Sequence, residues 1–295
     1  MNERGVNKGI FTLKRLLNIV VFVIVCILVC KIFFFASFKI PSHSMNPGIE
    51  SGDIVVVWKP WMGVRLFNLF VSLDGKQPKI YRILRFREAE RGDIMVFNYP
   101  YARGLDKISM HIMSYYVKRC IALPGDTISI IDGYYHLSGY RGFLGDLQSQ
   151  KRWSNVSEEI LRQKNLWDTY PNDSLLNWNV KDFGPLFIPK RGSEIFIDSI
   201  HYALYKKLIE WESKEQLFFN PQKRCFYLGD KYISNYSFQH NYYFMAGDNV
   251  KSSQDSRYWG VVPDVFIVGR VAFVLKFHDF NINEPIWSQI FRMIH

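Results

Sequence analysis

The stretch KIPSHSMNPG, residues 39–48, sets two serines two apart, Ser42 and Ser44, with His43 between them and Pro41 and Pro47 around them. A serine hydroxyl becomes a useful nucleophile only when a base takes its proton. His43 is nearest, but in an extended chain adjacent side chains point to opposite faces, so it does not easily reach Ser44. His111 lies in a stretch of uncertain structure, and no Gly-x-Ser-x-Gly elbow occurs. Lysine is the other base known to serve serine, provided burial keeps it neutral. YYVKRCIALPGD, residues 115–126, offers Lys118. With a two-residue period, Lys118 shares a face with Tyr116 and Cys120, while Arg119 joins Val117 and Ile121. Arg119 cannot serve, because a guanidinium does not deprotonate in proteins. By itself Lys118 is more often a surface lysine on an edge strand. A third segment, MAGDNVKSSQDSRYWGVVP, residues 245–263, is dense in Asp, Asn and Ser. Its composition alone reads as a polar turn with Asx hydrogen bonds.

The elements that must hold these groups are mostly strands. Gly-Asp pairs precede β-like runs in SGDIVVVW, RGDIMVFNY, PGDTISII and YLGDKYI, and IVGRVAFVLKF is a further strand candidate. They define a β domain in two blocks, 39–131 and 225–295. Between them, 132–224 is polar and less regular and reads as an inserted α/β cap region. Within it, 183–197 has strand character. Residues 199–213 read as a helix capped by Asp198 or Ser199, with Ile200, Leu204, Leu208 and Trp211 on one face. The fold class is therefore mainly β: an N-terminal transmembrane helix, then an antiparallel β-sheet domain with an inserted cap.

The anchor is the run LLNIVVFVIVCILVCKIFFFASF, residues 16–38, long enough to cross a bilayer as a helix. Its one charge, Lys31, sits near the far end, where its stem can snorkel. Arg4, Lys8, Lys14 and Arg15 precede it against a lone Glu3. The positive-inside rule puts residues 1–15 in the cytoplasm and the rest outside. FFFASFK is a poor cleavage site for a removable signal peptide, and Val29 before Cys30 is wrong for a lipoprotein. The aromatic stretch 58–73 reads as core strand or as a lip in the membrane interface. The C-terminal IWSQIFRMIH, residues 286–295, has helical amphipathic spacing but is too short to span.

Composition narrows the classes. The formal charge of +10 suits nucleic acid or anionic lipid, but no run of five or six basic residues selects nucleic acid. Cys26 and Cys30 lie in the oily run. Cys120 and Cys225 could pair, though two buried thiols are the plainer reading, and no CxxC spacing suggests a metal.

Taken together, PSHSMNP, RGDIMVFNYP, VKRCIALPGD and GDNVKSSQDSRYWG make the chain resemble the bacterial type I signal peptidases, membrane-anchored Ser-Lys proteases. The resemblance covers about 16–131 and 180–276. FGPLFIPKRG and NYYFMAGDN look most like versions from the Bacteroidetes. It implies Ser44 as nucleophile and Lys118 as general base. Ser42 would join the Ser44 N–H in the oxyanion hole, and Ser253 would hydrogen-bond the lysine. Asp255 and Arg257 match a supporting pair, and Gly247, Asp248 and Asn249 match a turn near the site. It further implies signal peptides of preproteins as substrates, with the bilayer and the secretion translocon as partners. The location implied is the inner (plasma) membrane with a periplasmic catalytic domain, and neither cofactor nor nucleic acid is involved. Two departures stand out. Gly48 replaces the usual Thr after the proline of the serine box, and Val250 replaces the usual Arg after GDN. The rival readings are a sortase-like transpeptidase using Cys120 with a histidine and Arg119, and a non-catalytic anchored module that binds peptidoglycan, lipid or an envelope protein. A self-cleaving repressor is disfavoured by the anchor.

Overall fold

The Gly-Asp pairs act as turns with a mechanism. Gly52, Gly92 and Gly125 take φ values of 100°, 92° and 96°, a region that a Cβ disfavours. The following Asp53, Asp93 and Asp126 accept hydrogen bonds from the N–H groups of Glu50, Glu90 and Leu123. Each turn releases a strand: Ile54–Trp58, Ile94–Tyr99 and Thr127–Ile131. These elements come from a computed structural model that describes residues 3–68, 71, 78–101, 104–276 and 291–293.

The main sheet runs in the order Phe35–Lys39, Ile54–Trp58, Ile267–Leu275, Ile94–Tyr99, His111–Ala122, Tyr242–Ala246, Val262–Pro263. Every pairing is antiparallel. Because side chains alternate across a strand, the sheet feeds two cores. Ile94 and Val96 pack with Met45, Ile49, Val55 and Val57. Met95 and Phe97 pack on the other face with Cys120, Phe244 and Met245. That second core continues into the inserted region through Leu186, Leu204, Tyr205 and Leu208.

Smaller sheets surround this frame. Thr127–Ile131 lies between Tyr134–Leu137 and Phe183–Phe187. Leu217–Asn220, Cys225–Leu228 and Lys231–Ile233 form a meander, and Glu194–Phe196 pairs with Asn235–Ser237. Strands near 127 and 225 thus pair with the inserted region, outside the main sheet, because a Gly-Asp turn looks the same whichever sheet its strand joins. The helix Ser199–Ser213 has Asp198 as its cap, accepting from the His201 N–H at 2.7 Å. Its buried stripe is Leu204, Tyr205, Leu208 and Ile209. Ile200, expected on that face, is 48% exposed.

The N-terminal helix spans Glu3–Val29. The apolar segment Lys14–Phe34, which continues past it through the turn Cys30–Phe34, leaves its side chains unburied by the rest of the chain; at about 1.5 Å per residue it covers about 31 Å, the thickness of a hydrocarbon core. Lys59 Nζ donates to the Lys31 and Ile32 carbonyls at 2.7 and 3.0 Å, placing a cation at the end of the apolar segment. Of the aromatic stretch 58–73, Trp61, Met62 and Val64 are core while Leu66 is exposed; residues 69–70 and 72–73 lie outside the described residues. At the C-terminus Phe291–Met293 is a strand on Ile267–Leu275, not part of a helix; the rest of 286–295 lies outside the described residues.

One carboxylate joins the insertion to the main block. Glu212 accepts from Tyr236 Oη, Tyr242 Oη and the N–H groups of Gln239 and His240, at 2.8–2.9 Å. Glu212→Ala strands four donors. The expected cost is about 3 kcal/mol, a fall of roughly 6–10 °C in the melting temperature, read by thermal unfolding in detergent.

Candidate active site

Lys118 is the eighth residue of the long strand His111–Ala122. Its register partner is Met95, and it shares its face with Tyr116 and with Cys120, as the two-residue period predicts. The edge strand that the sequence suggested would leave a lysine in water, but this strand is interior, between Ile94–Tyr99 and Tyr242–Ala246, and the side chain is 3% exposed. The Ser44 turn and the loop after Tyr242–Ala246 cover it. Lys118 Nζ donates to Ser44 Oγ at 2.6 Å. Burial pulls the Lys118 pKa down from 10.5 to about 8, opposed by the carboxylate of Asp255, assisted by the Arg257 charge and opposed again by Asp248.

Ser44 is itself held at several points. The Asn249 N–H donates to the Ser44 carbonyl at 3.0 Å, and Asn249 Nδ2 donates to the His43 carbonyl at 3.1 Å. Met45 and Ile49, both buried, root the turn in the first core. Gly247 passes so close that an added Cβ would collide with the Ser44 carbonyl and with Ser253 Oγ. Ser42 Oγ lies 3.4 Å from Ser44 Oγ. His43 and His111 are exposed and neither is the hydroxyl's partner.

Asp255 and Arg257 form the floor. Both are fully buried, and Arg257 donates to Asp255 through Nε at 2.8 Å and Nη2 at 2.9 Å. Burial works against the Asp255 charge, yet Arg257 beside it holds the carboxyl below its ordinary pKa. Asp255 Oδ2 also accepts from the Gly247 N–H at 3.1 Å. Arg257 Nη2 reaches the Val250 and Ser253 carbonyls at 2.8 and 3.2 Å. Ser253 Oγ, expected to bond Lys118, is buried beside Gly247 and makes no hydrogen bond to the amine.

Asp248 is tied by Arg119, for which the sequence offered a role only in the Cys120 alternative. Arg119 Nε and Nη2 each donate to the carboxylate at 2.7 Å, and Nη1 donates to the Gly92 carbonyl at 2.7 Å. The available signal was its position: one residue after Lys118, it must leave by the opposite face. Gly48 sits against this pair, since a Cβ there would stand 3.0 Å from Asp248 Oδ2 and 3.3 Å from the Met45 carbonyl.

A cleft of about 660 Å³ opens onto Ser44 and Lys118. Phe38, Ile40, Met45, Tyr115 and Tyr116 line it, with Ser252 and Gln254 at one side. The strand Phe35–Lys39 borders it, and among the described residues only one of its edges is paired. The site can therefore deprotonate a serine beside an extended apolar ligand. Cys120 is fully buried, and desolvation pushes its thiol pKa far up. All four cysteines are free, so no Cys120–Cys225 bridge forms.

The lysine's burial should be visible in stability. Below pH 8 the native and unfolded chains both hold the proton, and the native state bears the desolvation cost. Between about pH 8 and 10.5 the unfolded chain binds the extra proton, so native stability rises with pH. Lys118→Met should therefore stabilise the protein at pH 7, by on the order of 2 kcal/mol, and the gain should fade by pH 10. Urea unfolding at both pH values measures it; a variant less stable at both would contradict a desolvated lysine.

Comparison with known proteins follows the same lines. The family model for signal peptidase, peptidase S26 matches residues 13–141 and 198–276. A signal peptidase I of Buchnera aphidicola from Acyrthosiphon pisum is 29% identical, over 96% of this chain and 80% of its own length. That of Pseudomonas fluorescens is 25% identical, over 84% of this chain and 67% of its own. A crystal structure of a signal peptidase I from Enterococcus faecalis is 19% identical, covering 63% of this chain and 98% of that one at a TM-score of 0.30. The matched segments include the serine turn, the lysine strand and the Gly-Asp-Asn loop, and the chain belongs to the peptidase S26 family, as a serine peptidase of the bacterial type I signal peptidase class.

Proposed function

We propose that this chain removes N-terminal signal peptides from exported preproteins with a Ser-Lys dyad, Ser44 as nucleophile and Lys118 as general base. The observation that carries the reading is the 2.6 Å contact between Lys118 Nζ and Ser44 Oγ at a place from which water is largely excluded. A neutral lysine takes the serine proton as Oγ attacks the scissile carbonyl. The oxyanion rests on the Ser44 N–H and the Ser42 hydroxyl. The protonated Lys118 then gives its proton to the leaving amine and leaves an acyl-enzyme on Ser44. In the second half Lys118 takes a proton from water as it attacks the ester and returns that proton to Ser44 Oγ as the acyl C–O bond breaks, releasing the acid and restoring the enzyme. Asp255, Arg257 and Ser253 support the base. Gly247, Asp248 and Asn249 hold the serine turn.

The substrate enters as an extended segment along Phe35–Lys39. The cleft walls of Phe38, Met45 and Tyr115 suit small apolar side chains before the cut. Residues 16–38 anchor the enzyme in the plasma membrane, with 1–15 in the cytoplasm and the catalytic block outside. A leader emerging from the bilayer there meets the site at a fixed depth, which raises its effective concentration. Residues 132–224 form a cap on that block. The Cys120 alternative is disfavoured because its thiol is buried and hard to ionise.

The test is preprotein processing in detergent by wild type, Ser44→Ala and Lys118→Ala, with circular dichroism to check folding. Wild type should cut after a small residue, with kcat/KM rising through a limb near pH 8 set by Lys118. Both variants should lose at least about a thousandfold. Normal cutting by folded Ser44→Ala would sink the mechanism.

A further inference from the structure

We infer that Ser149 and Trp153, on the inserted helix Leu147–Ser154, are positioning residues for the Lys118–Ser44 pair, holding the 247–257 loop from the side opposite the cleft. The inference rests on the dyad reading and assigns the insertion a part in it.

The loop has to do two things at once. Its Asn249 N–H fixes the Ser44 carbonyl, and its Asp255 and Arg257 face Lys118. A shift of the loop moves the nucleophile and rewets the base together. The main sheet supports the loop near its two ends: Arg119 clamps Asp248, and the Met245 N–H donates to Ser256 Oγ. Between them, at Val250, the loop is held by the insertion. The Val250 N–H donates to Ser149 Oγ at 2.9 Å, and Ser149 is 3% exposed. Val250 packs with Trp153, Leu161 and Val180 in a small core of its own, where Val250 is the one member outside the insertion. The Arg257 guanidinium lies 5.6 Å from the Trp153 ring and 5.4 Å from the Tyr258 ring. Its Nη1 has no hydrogen-bond partner, so these ring faces are the favourable surroundings left for that part of the charge.

The brace is built rather than incidental. Asp146 caps the helix by accepting from the Ser149 N–H at 2.6 Å. Gln150, fully buried, accepts from the Tyr135 N–H and donates to the Leu144 carbonyl. Gly133 packs under Trp153, where an added Cβ would stand 3.2 Å from the ring. On the far side of the loop, Thr169 Oγ1 and the Tyr170 N–H both donate to the Arg257 carbonyl. The insertion therefore grips the loop at Val250 and again at Arg257.

The consequence is a signature in pH rather than in rate alone. The charged and titratable groups facing Lys118 are Asp255, Arg257 and Asp248, with Tyr116 on its own strand. Burial is the largest influence on the amine, so loosening the loop hydrates it and raises its pKa. The acidic limb of kcat/KM then moves to higher pH. A movement of about 0.7 unit is a roughly fivefold loss at pH 7 that closes above the limb.

Ser149→Ala, Ser149→Thr, Trp153→Ala, Trp153→Phe and Lys118→Ala are compared with wild type on one preprotein from pH 6 to 10, using the full chain in detergent. The two alanine variants at Ser149 and Trp153 should move the limb upward and recover most activity at high pH. Ser149→Thr, which keeps the hydroxyl, and Trp153→Phe, which keeps a ring, should return toward wild type. A loss by the same factor at every pH, or no change in folded alanine variants, overturns the positioning role. Failure of the dyad reading looks different: wild type would lack the limb, or Lys118→Ala would still cut.

Discussion

A lysine can accept a proton only after giving up its own, so the role proposed for Lys118 requires an ε-amine whose charge is poorly solvated. That requirement accounts for much of the site. Its strand is interior, between Ile94–Tyr99 and Tyr242–Ala246, and three further pieces of chain surround the amine. The serine turn supplies the acceptor at 2.6 Å. The Gly-Asp-Asn loop closes over the turn. The Asp255–Arg257 pair occupies the floor. Burying that pair is costly unless both partners are satisfied, and here the guanidinium also binds two loop carbonyls while the carboxylate holds the Gly247 N–H. The pair contributes opposite charges near the amine, so desolvation is left as the deciding influence.

The alternation of the strand separates two jobs. Lys118 faces the core that continues into the insertion, while Arg119 leaves by the other face and clamps Asp248 with two parallel hydrogen bonds. The clamp fixes the first residues of the loop to the same strand that carries Lys118. The serine turn joins them through Asn249, which binds carbonyls on both His43 and Ser44. Gly247 completes the junction by lacking a Cβ where the serine carbonyl passes.

Much of this was legible in the sequence because local chemistry carried it. The Gly-Asp turns, the strand period at Lys118 and the Asp198 cap each follow from a few adjacent residues. The proposed base and nucleophile were readable as a pair only through resemblance, since no spacing says that residue 44 meets residue 118. What was not legible depended on side-chain choice or distant packing. The helix face at Ile200 was misplaced because Tyr205 and Ile209 compete for the same core. Ser253 was expected on the lysine, yet no hydrogen bond joins the two. The role of Arg119 required knowing where Asp248 would land, and a Gly-Asp turn gave no hint whether its strand would join the main sheet or a small one.

The two departures from the family's usual pattern make sense as consequences of packing. Gly48 lies against the Asp248 carboxylate and the Met45 carbonyl. A larger residue there would press on the clamp that ties the loop to the strand. Val250 is buried in a cluster with Trp153, Leu161 and Val180, where a charged side chain would be costly to desolvate. The apolar residue at 250 thus matches the apolar face that the inserted helix turns to it. The loop that serves the proposed dyad has given up a surface charge for a root in the insertion, which ties the insertion to the catalytic block by the same contacts that hold the loop in place.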